Sequence, residues 1–362
     1  MKYQNLSNEI NILLPFKEKF SPENYKSVSL YVKDINQKSK YKNKITIFAN
    51  YQSKFFRGYK VKNVKKTIKN LFYGKNIGHT KEFISMIKSN PPRIIEVHNR
   101  PQSAIMIANV FKKSSIKLFY HNDPFSFKKN SRLKDRIKLM DKCHSICFVS
   151  KYLKKRFLEG FPKYLIKRSK LHIFYNGIEP IRQTDFKFKK NNIVYVGELS
   201  KPKGLNFFID ATTKVIDEFP DWTVDIFGAI NSNKEIGFIN NKKIRFHGFK
   251  KNQYILNYLS KSSISVIPSI IEEGFGRVLL ESVFAGTATI TSTKGGLKEI
   301  SDYFNVIKLK EINKKTIYLS LKKLIISENE RKKYSNNFVD NSPFALSKIV
   351  KTLDLLRTDT FI

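Results

Sequence analysis

The chain is predicted to be an α/β protein built from two parallel-sheet domains, and three observations predict it. Short apolar runs alternate with amphipathic, lysine-rich stretches from end to end, the rhythm of strands joined by crossover helices. A length of 362 residues suffices for two domains that each bury a core of their own. Finally, the region from Ile264 to Ile300 reads as strand, glycine turn and helix. Ile264-Ser-Val-Ile-Pro268 is a short buried strand and Gly274-Phe275-Gly276 a turn, while Val278, Leu279, Val283 and Phe284 give a helix a buried side.

Taken in order, the first strand is Ile10–Leu14. The run Ile10-Asn-Ile-Leu-Leu-Pro15 is too short, and too polar on its flanks, for a signal peptide. Ile45–Phe48, Ile94–Val97, Ile116–Tyr120, Ser145–Val149 and Leu171–Tyr175 complete the first half. The second half holds Ile193–Val196, Thr223–Phe227, Ile244–Phe246, Ile264–Ile267, Thr289–Thr291 and Val306–Leu309. Asn176-Gly177 is a turn dipeptide, and the polar Arg182–Asn192 stretch follows it, so the domain boundary is placed there. Residues 1–176 form an N-terminal domain and 177–346 a C-terminal one, with a last helix, Ser347–Leu356, in the segment 347–362. Two Rossmann-like domains joined at that turn would face each other across a cleft. There is no internal repeat and no low-complexity segment.

Composition narrows the class. A hydrophobic content of 41% with 13% aromatics is globular. No run approaches the ~18 apolar residues of a membrane-spanning helix, so the chain is expected in the cytoplasm, with peripheral attachment to the inner face of the cell membrane possible. Sixty-eight basic residues against 30 acidic give a net charge of +38. Nucleic acid would answer to that charge, and so would anionic lipid. A codon supply rich in Lys, Asn and Ile would also produce it. The basic residues are dispersed rather than gathered in one block, which argues against a nucleic-acid arm. It favours a surface that rests on anionic lipid while handling anionic substrates. Cys143 and Cys147 flank His144, but without a second ligand pair they read as reduced core cysteines rather than a zinc site.

The glycine turn carries the chemistry. A strand, a glycine turn and a helix in that order aim backbone N–H groups and the positive helix end at one spot, which suits a phosphate or diphosphate. Glu273 and Glu281 bracket the turn eight residues apart, a span of ~12 Å if wholly helical. That distance separates a sugar ring from a ribose. A bare Glu-x7-Glu spacing is common on solvated helices; with Gly-Phe-Gly between the acids and a strand before them it reads as a nucleotide-sugar site.

The segment Glu273-Gly-Phe275-Gly276-x4-Glu281 resembles the Glu-x-Phe-Gly-x4-Glu element of the family 4 retaining glycosyltransferases, which have the two-domain GT-B fold. Asn191-Asn-Ile-Val-Tyr-Val-Gly-Glu-Leu-Ser-Lys-Pro-Lys203-Gly204 is similar to the family's first C-domain strand and phosphate loop. Phe148-Val-Ser150, Tyr175-Asn176-Gly177-Ile178, Glu96-Val-His98-Asn-Arg-Pro101 and Tyr120-His121-Asn-Asp123-Pro124 fall where the family has matching elements. The resemblance implies transfer of a sugar from a nucleoside diphosphate donor, of UDP or GDP type, to an acceptor hydroxyl. A lipid-linked saccharide of lipopolysaccharide, capsule or another surface glycan is the implied acceptor.

The resemblance also assigns roles. His98 and His121 each directly follow a strand-like run, where open parallel sheets line their ligand crevice. His121 matches the family histidine that lines the reaction face at the donor sugar, while His98, Asn99 and Arg100 would shape the acceptor side. Lys203 would neutralise the departing diphosphate near Gly197, which ends the preceding strand. Glu281 would anchor the ribose diol. Glu273 would hold the sugar hydroxyls, beside the N–H groups of Gly274, Phe275 and Gly276. Gly295-Gly296 reads as a turn. The resemblance further implies that the helix in 347–362 returns to the N-terminal domain.

Two places depart from the family. Glu198 stands where an arginine follows the strand-ending glycine, which leaves Lys203 to act alone or with Arg277 or Lys294. The loop Phe16-Lys-Glu-Lys-Phe-Ser-Pro-Glu-Asn-Tyr25 lacks the family's glycine pair and is assigned no donor contact. No Asp-x-Asp metal motif stands at a strand end, so a reaction without metal or cofactor is expected. The competing readings are a nucleotide-sugar epimerase on the same fold, a catalytically silent relative, and a basic nucleic-acid-binding protein with a vestigial site. That last reading would need clustered basic residues with interleaved aromatics.

Overall fold

All twelve runs read as strands are strands in a computed structural model, which describes residues 6–23, 25–50, 54–65, 72–127, 131–229, 242–337, 339–340 and 342–361. Asn24, within the glycine-free loop, and Ile362, at the end of the expected last segment, lie outside the described residues. The chain divides into two compact units, Met1–Gly177 with Leu346–Ile362, and Ile178–Ala345.

The first unit holds β1 (Ser7–Leu13), β2 (Ile45–Ala49), β3 (Lys60–Asn63), β4 (Pro92–His98), β5 (Ser115–Tyr120), β6 (Ser145–Phe148) and β7 (Leu171–Ile173). They form one sheet in the order β3-β2-β1-β4-β5-β6-β7, parallel throughout. Strand β3 has no apolar run to announce it. Lys60-Val-Lys-Asn63 is an edge strand with only half-buried residues facing inward, and edge lysines discourage pairing with other chains. Both cysteines are buried and free, and burial pushes both thiols up, Cys143 to about 12.

The helix Leu346–Phe361 belongs to this unit, bonded to it by Asp354, Thr358 and Thr360 and by one fully buried arginine. Arg357 donates Nε to Glu96 Oε1 at 2.7 Å and Nη2 to Glu96 Oε2 at 2.8 Å, a two-pronged pair with both side chains fully buried. Its remaining donors reach Asn36, Ser39 and Asp354, so a guanidinium that is costly to desolvate is fully engaged.

The second unit holds β8 (Lys190–Val196), β9 (Thr223–Phe227), β10 (Ile244–Gly248), β11 (Ser262–Ile267), β12 (Ala288–Thr291) and β13 (Ile307–Lys308), in the order β10-β9-β8-β11-β12-β13 and parallel. Alternate residues of a strand face opposite sides, and both sides are covered. Ile193, Val224, Ile264 and Ile290 pack with Leu205, Phe208, Leu321 and Leu324 on one face, and Val194 and Phe227 with Ile255, Leu259 and Ala285 on the other. Being buried on both faces is why these strands read as continuous apolar runs.

In each sheet the strand order reverses once, between β1 and β4 and between β8 and β11. Open α/β sheets bind ligands beyond the carboxyl ends of strands at such a reversal. The loops after β8 and β11 carry the residues that the sequence singled out.

Candidate active site

Backbone contacts tie those two loops together. Ile270 N and Ile271 N, after β11, donate to Pro202 O, after β8, at 3.0 and 3.4 Å. Gly204 ends the short turn Lys201–Lys203 with φ 75°, and a Cβ there would lie 2.0 Å from Pro268 O. No other residue type fits that approach.

Lys203 and Glu273 meet. Lys203 Nζ lies 2.6 Å from Glu273 Oε1, which also accepts a hydrogen bond from Ser269 Oγ at 2.8 Å. Both side chains of the pair are partly exposed. Gly197 ends β8 with its N–H on Phe227 O at 3.0 Å, and Glu198 beside it is exposed.

The span from Glu273 to Glu281 is half loop and half helix rather than wholly helical. The helix is Arg277–Phe284, entered through Gly276 at φ 104° with no side-chain cap. Phe275 turns inward, 5% exposed and against Phe344, and so fastens the loop to the core. Gly295 and Gly296 are more than a turn, because they form the seat of this loop. Gly296 N donates to Glu273 O at 2.7 Å, and a Cβ on Gly296 would lie 2.6 Å from Phe275 Cα.

Glu281 is nearly buried, with only 3% of the residue exposed. Its Oε1 accepts from Arg277 Nε and Asn252 Nδ2, each at 2.8 Å. A cation in the first turn of a helix opposes the helix dipole, and Glu281 compensates Arg277 there. Arg277 is therefore committed to Glu281, while Lys294 lies 4.0 Å from Glu272 on the surface.

In the first unit, His98 and His121 end up as partners. His98 Nδ1 and His121 Nε2 are 3.0 Å apart, His98 lies flat on Phe119 at 4.6 Å, and Tyr31 meets His121 edge-on at 4.9 Å. Burial, aided by Arg357, pushes His98 down to about 3; burial, aided by His98, pushes His121 well down too. Both imidazoles are neutral at pH 7. His98 is fully buried and Asn99 nearly so. Of the residues expected on the acceptor side, His98 is thus packed against Tyr31, Phe119 and His121, and Asn99 is bonded to the His121 backbone. Half-buried Arg100 donates to Asn99 O at 2.7 Å and to Asn76 Oδ1 at 3.2 Å.

Sequence reasoning missed Ser269 and Asn252. Asn252 lies 29 residues from its partner Glu281, and no local pattern joins them. Among the described residues no three His, Cys, Asp or Glu side chains gather as metal ligands, and no helix is long and apolar enough to cross a membrane.

Comparison with known proteins places the second unit. Residues 178–338 match the family model described as "Glycosyl transferases group 1". The chain is 25% identical over 235 residues to "Spore coat protein SA" of Bacillus subtilis (strain 168), covering 57% of this chain and 61% of that protein. It is equally similar to "Putative glycosyltransferase YtcC" of the same strain, at 25% over 57% of each. The matches thus span about 60% of these relatives' length. Among solved structures, Anabaena Alr3699/HepE, crystallised with UDP and glucose, superposes with a TM-score of 0.75 at 14% identity, covering 97% of this chain and all of that one. WaaG, a glycosyltransferase involved in lipopolysaccharide biosynthesis, gives 0.69 at 12%, over 96% and 99%. The α/β fold with two parallel sheets is the fold of these solved structures.

Proposed function

We propose that the chain is a glycosyltransferase of the retaining family 4 type, whose second unit seats a nucleoside diphosphate sugar beyond β8 and β11. The observation that carries this reading is the Lys203–Glu273 pair beside a glycine-entered, uncapped helix at the strand-order reversal. The group 1 match, the relatives named as glycosyltransferases, and the neighbour crystallised with UDP and glucose support it.

In this reading Lys203 meets the diphosphate with the N–H groups of Gly274 to Gly276, Glu273 takes the sugar hydroxyls, and Glu281 faces the ribose. The anomeric C–O bond to the diphosphate breaks while the acceptor oxygen bonds on the same face. The acceptor proton leaves on a diphosphate oxygen. Preorganised cations and N–H groups stabilise the charge that develops on that leaving group. Front-face substitution is preferred to a carboxylate nucleophile, since Glu273 and Glu281 are each held by a cation. Metal independence belongs to this reading, with Lys203 and the loop N–H groups meeting the diphosphate charge. His121 is assigned to the donor sugar and Arg100 to the acceptor. The acceptor is a lipid-linked or surface saccharide, reached at an anionic membrane face that a net charge of +38 suits.

The test is nucleoside diphosphate release from UDP- and GDP-sugars by the full chain, with and without EDTA. Release from one of the two base classes, unchanged by EDTA, is expected. Conversion to an isomeric nucleotide sugar without release would replace this reading by the epimerase, and loss of release in EDTA would overturn metal independence. No release and no thermal shift with any donor would sink the proposal.

A further inference from the structure

Asn99 follows β4 directly and is the one non-glycine described residue in the left-handed region, at φ 54°. Asparagine enters that region more readily than most residues, yet still at a cost that glycine avoids. Its side chain shows what that conformation serves. Asn99 Oδ1 accepts from the backbone N–H groups of both His121 and Asn122, each at 3.2 Å. Its own N–H donates to Phe119 O at 2.7 Å, and its carbonyl is held by Arg100. The N–H and the side-chain oxygen are thereby spent on joining the end of β4 to the end of β5, while the carbonyl is held by the neighbouring Arg100.

We propose that Asn99 is a positioning residue for His121. It turns the chain left-handed so that one side-chain oxygen takes the two N–H groups that open the His121-Asn122 loop, and this aims the His121 ring. The β4–β5 register carries the pairing as far as His98 and Phe119. Beyond it the ladder ends, and the Asn99 oxygen continues it by one rung. The imidazoles of His98 and His121 then meet at 3.0 Å. This inference rests on the reading of His121 as the residue at the donor sugar. It moves Asn99 from acceptor contact to loop geometry.

Asn99→Gly separates conformation from hydrogen bonding, because glycine adopts φ 54° freely while losing the carboxamide and its acceptor oxygen. Asn99→Asp keeps an acceptor oxygen and tolerates the same backbone. Nitrogen-15 spectra of histidine-labelled full chain, taken without any donor, follow the six imidazoles separately. In Asn99→Gly the His98 and His121 resonances are expected to move while His79, His144, His172 and His247 stay. Turnover of the UDP- or GDP-sugar from which the parent releases nucleoside diphosphate should fall by about tenfold to a hundredfold, the scale of a small misplacement at a reacting centre, with affinity for that nucleoside diphosphate within about twofold of the parent. Asn99→Asp should restore most of that turnover. Unmoved His98 and His121 signals in a folded Asn99→Gly protein would overturn the proposal. Parental turnover in His121→Ala would instead show that the reading of His121 is at fault, whatever the spectra show.

Discussion

At the scale of single residues, Glu281 carries two duties that a conservative pair of variants can separate. Its carboxylate compensates a nearly buried Arg277, and in the proposed function it also faces the ribose. Glu281→Ala strips the guanidinium of its counter-charge and should cost about 3–5 kcal/mol of stability. Glu281→Gln keeps the Arg277 and Asn252 hydrogen bonds possible and should cost less, while still weakening nucleotide binding. Equal midpoints for the two variants in urea unfolding would show that the Arg277 charge is not held by Glu281. Local sequence could nominate Glu273 and Glu281 because strand, glycine turn and helix are contiguous. It could not show that Glu281 is buried, since its partner Asn252 arrives from a helix 29 residues earlier. Nor could it show that His98 and His121 touch, which depends on β4 lying beside β5.

At the scale of elements, the strands were legible because a parallel strand buried on both faces must be apolar throughout. The one strand missed, β3, is a lysine-bearing edge. Gly295-Gly296 was legible as a turn, but its packing duty was not, because close approach depends on a loop twenty residues earlier in the chain. Gly296→Ala tests that duty. Its Cβ would stand 2.6 Å from Phe275 Cα and 2.8 Å from Gly274 O, so the 273–276 loop must shift. A stability loss of about 1–3 kcal/mol is expected from overpacking. Calorimetry should also find UDP or GDP binding weakened more than in a control alanine elsewhere on the helix Gly296–Tyr303. Unchanged affinity would mean that the loop is not seated by this glycine.

At the scale of the whole molecule, the two units should respond differently to acid. In the first, burial holds His79 near 4 and His98 near 3, against about 6.5 when unfolded. The unfolded form therefore binds more protons below pH 6.5, and the stability these groups allow at neutrality drains away as pH falls from there towards 3. In the second, burial would raise Asp225, but hydrogen bonds from Arg245, His247, Asn192 and Tyr258 outweigh it and hold the carboxyl near 2. That contribution is full above about pH 4 and is lost only as pH falls towards 2. Trp222 is the single tryptophan and lies in the second core. Between pH 7 and pH 5, the urea midpoint followed by tryptophan emission should hold while the midpoint followed by circular dichroism drops. Coincident drops in both would contradict this division.

The central claim is that the second unit seats a nucleoside diphosphate against Lys203 beyond β8 and β11. Isothermal titration of the full chain with UDP and with GDP tests it most directly, compared with Lys203→Ala. One nucleotide should bind with one-to-one stoichiometry. Losing a charge-assisted contact, worth about 1.5–3 kcal/mol, should weaken it by roughly tenfold or more in the variant. Binding of neither nucleotide, or equal affinity in parent and variant, would contradict the account.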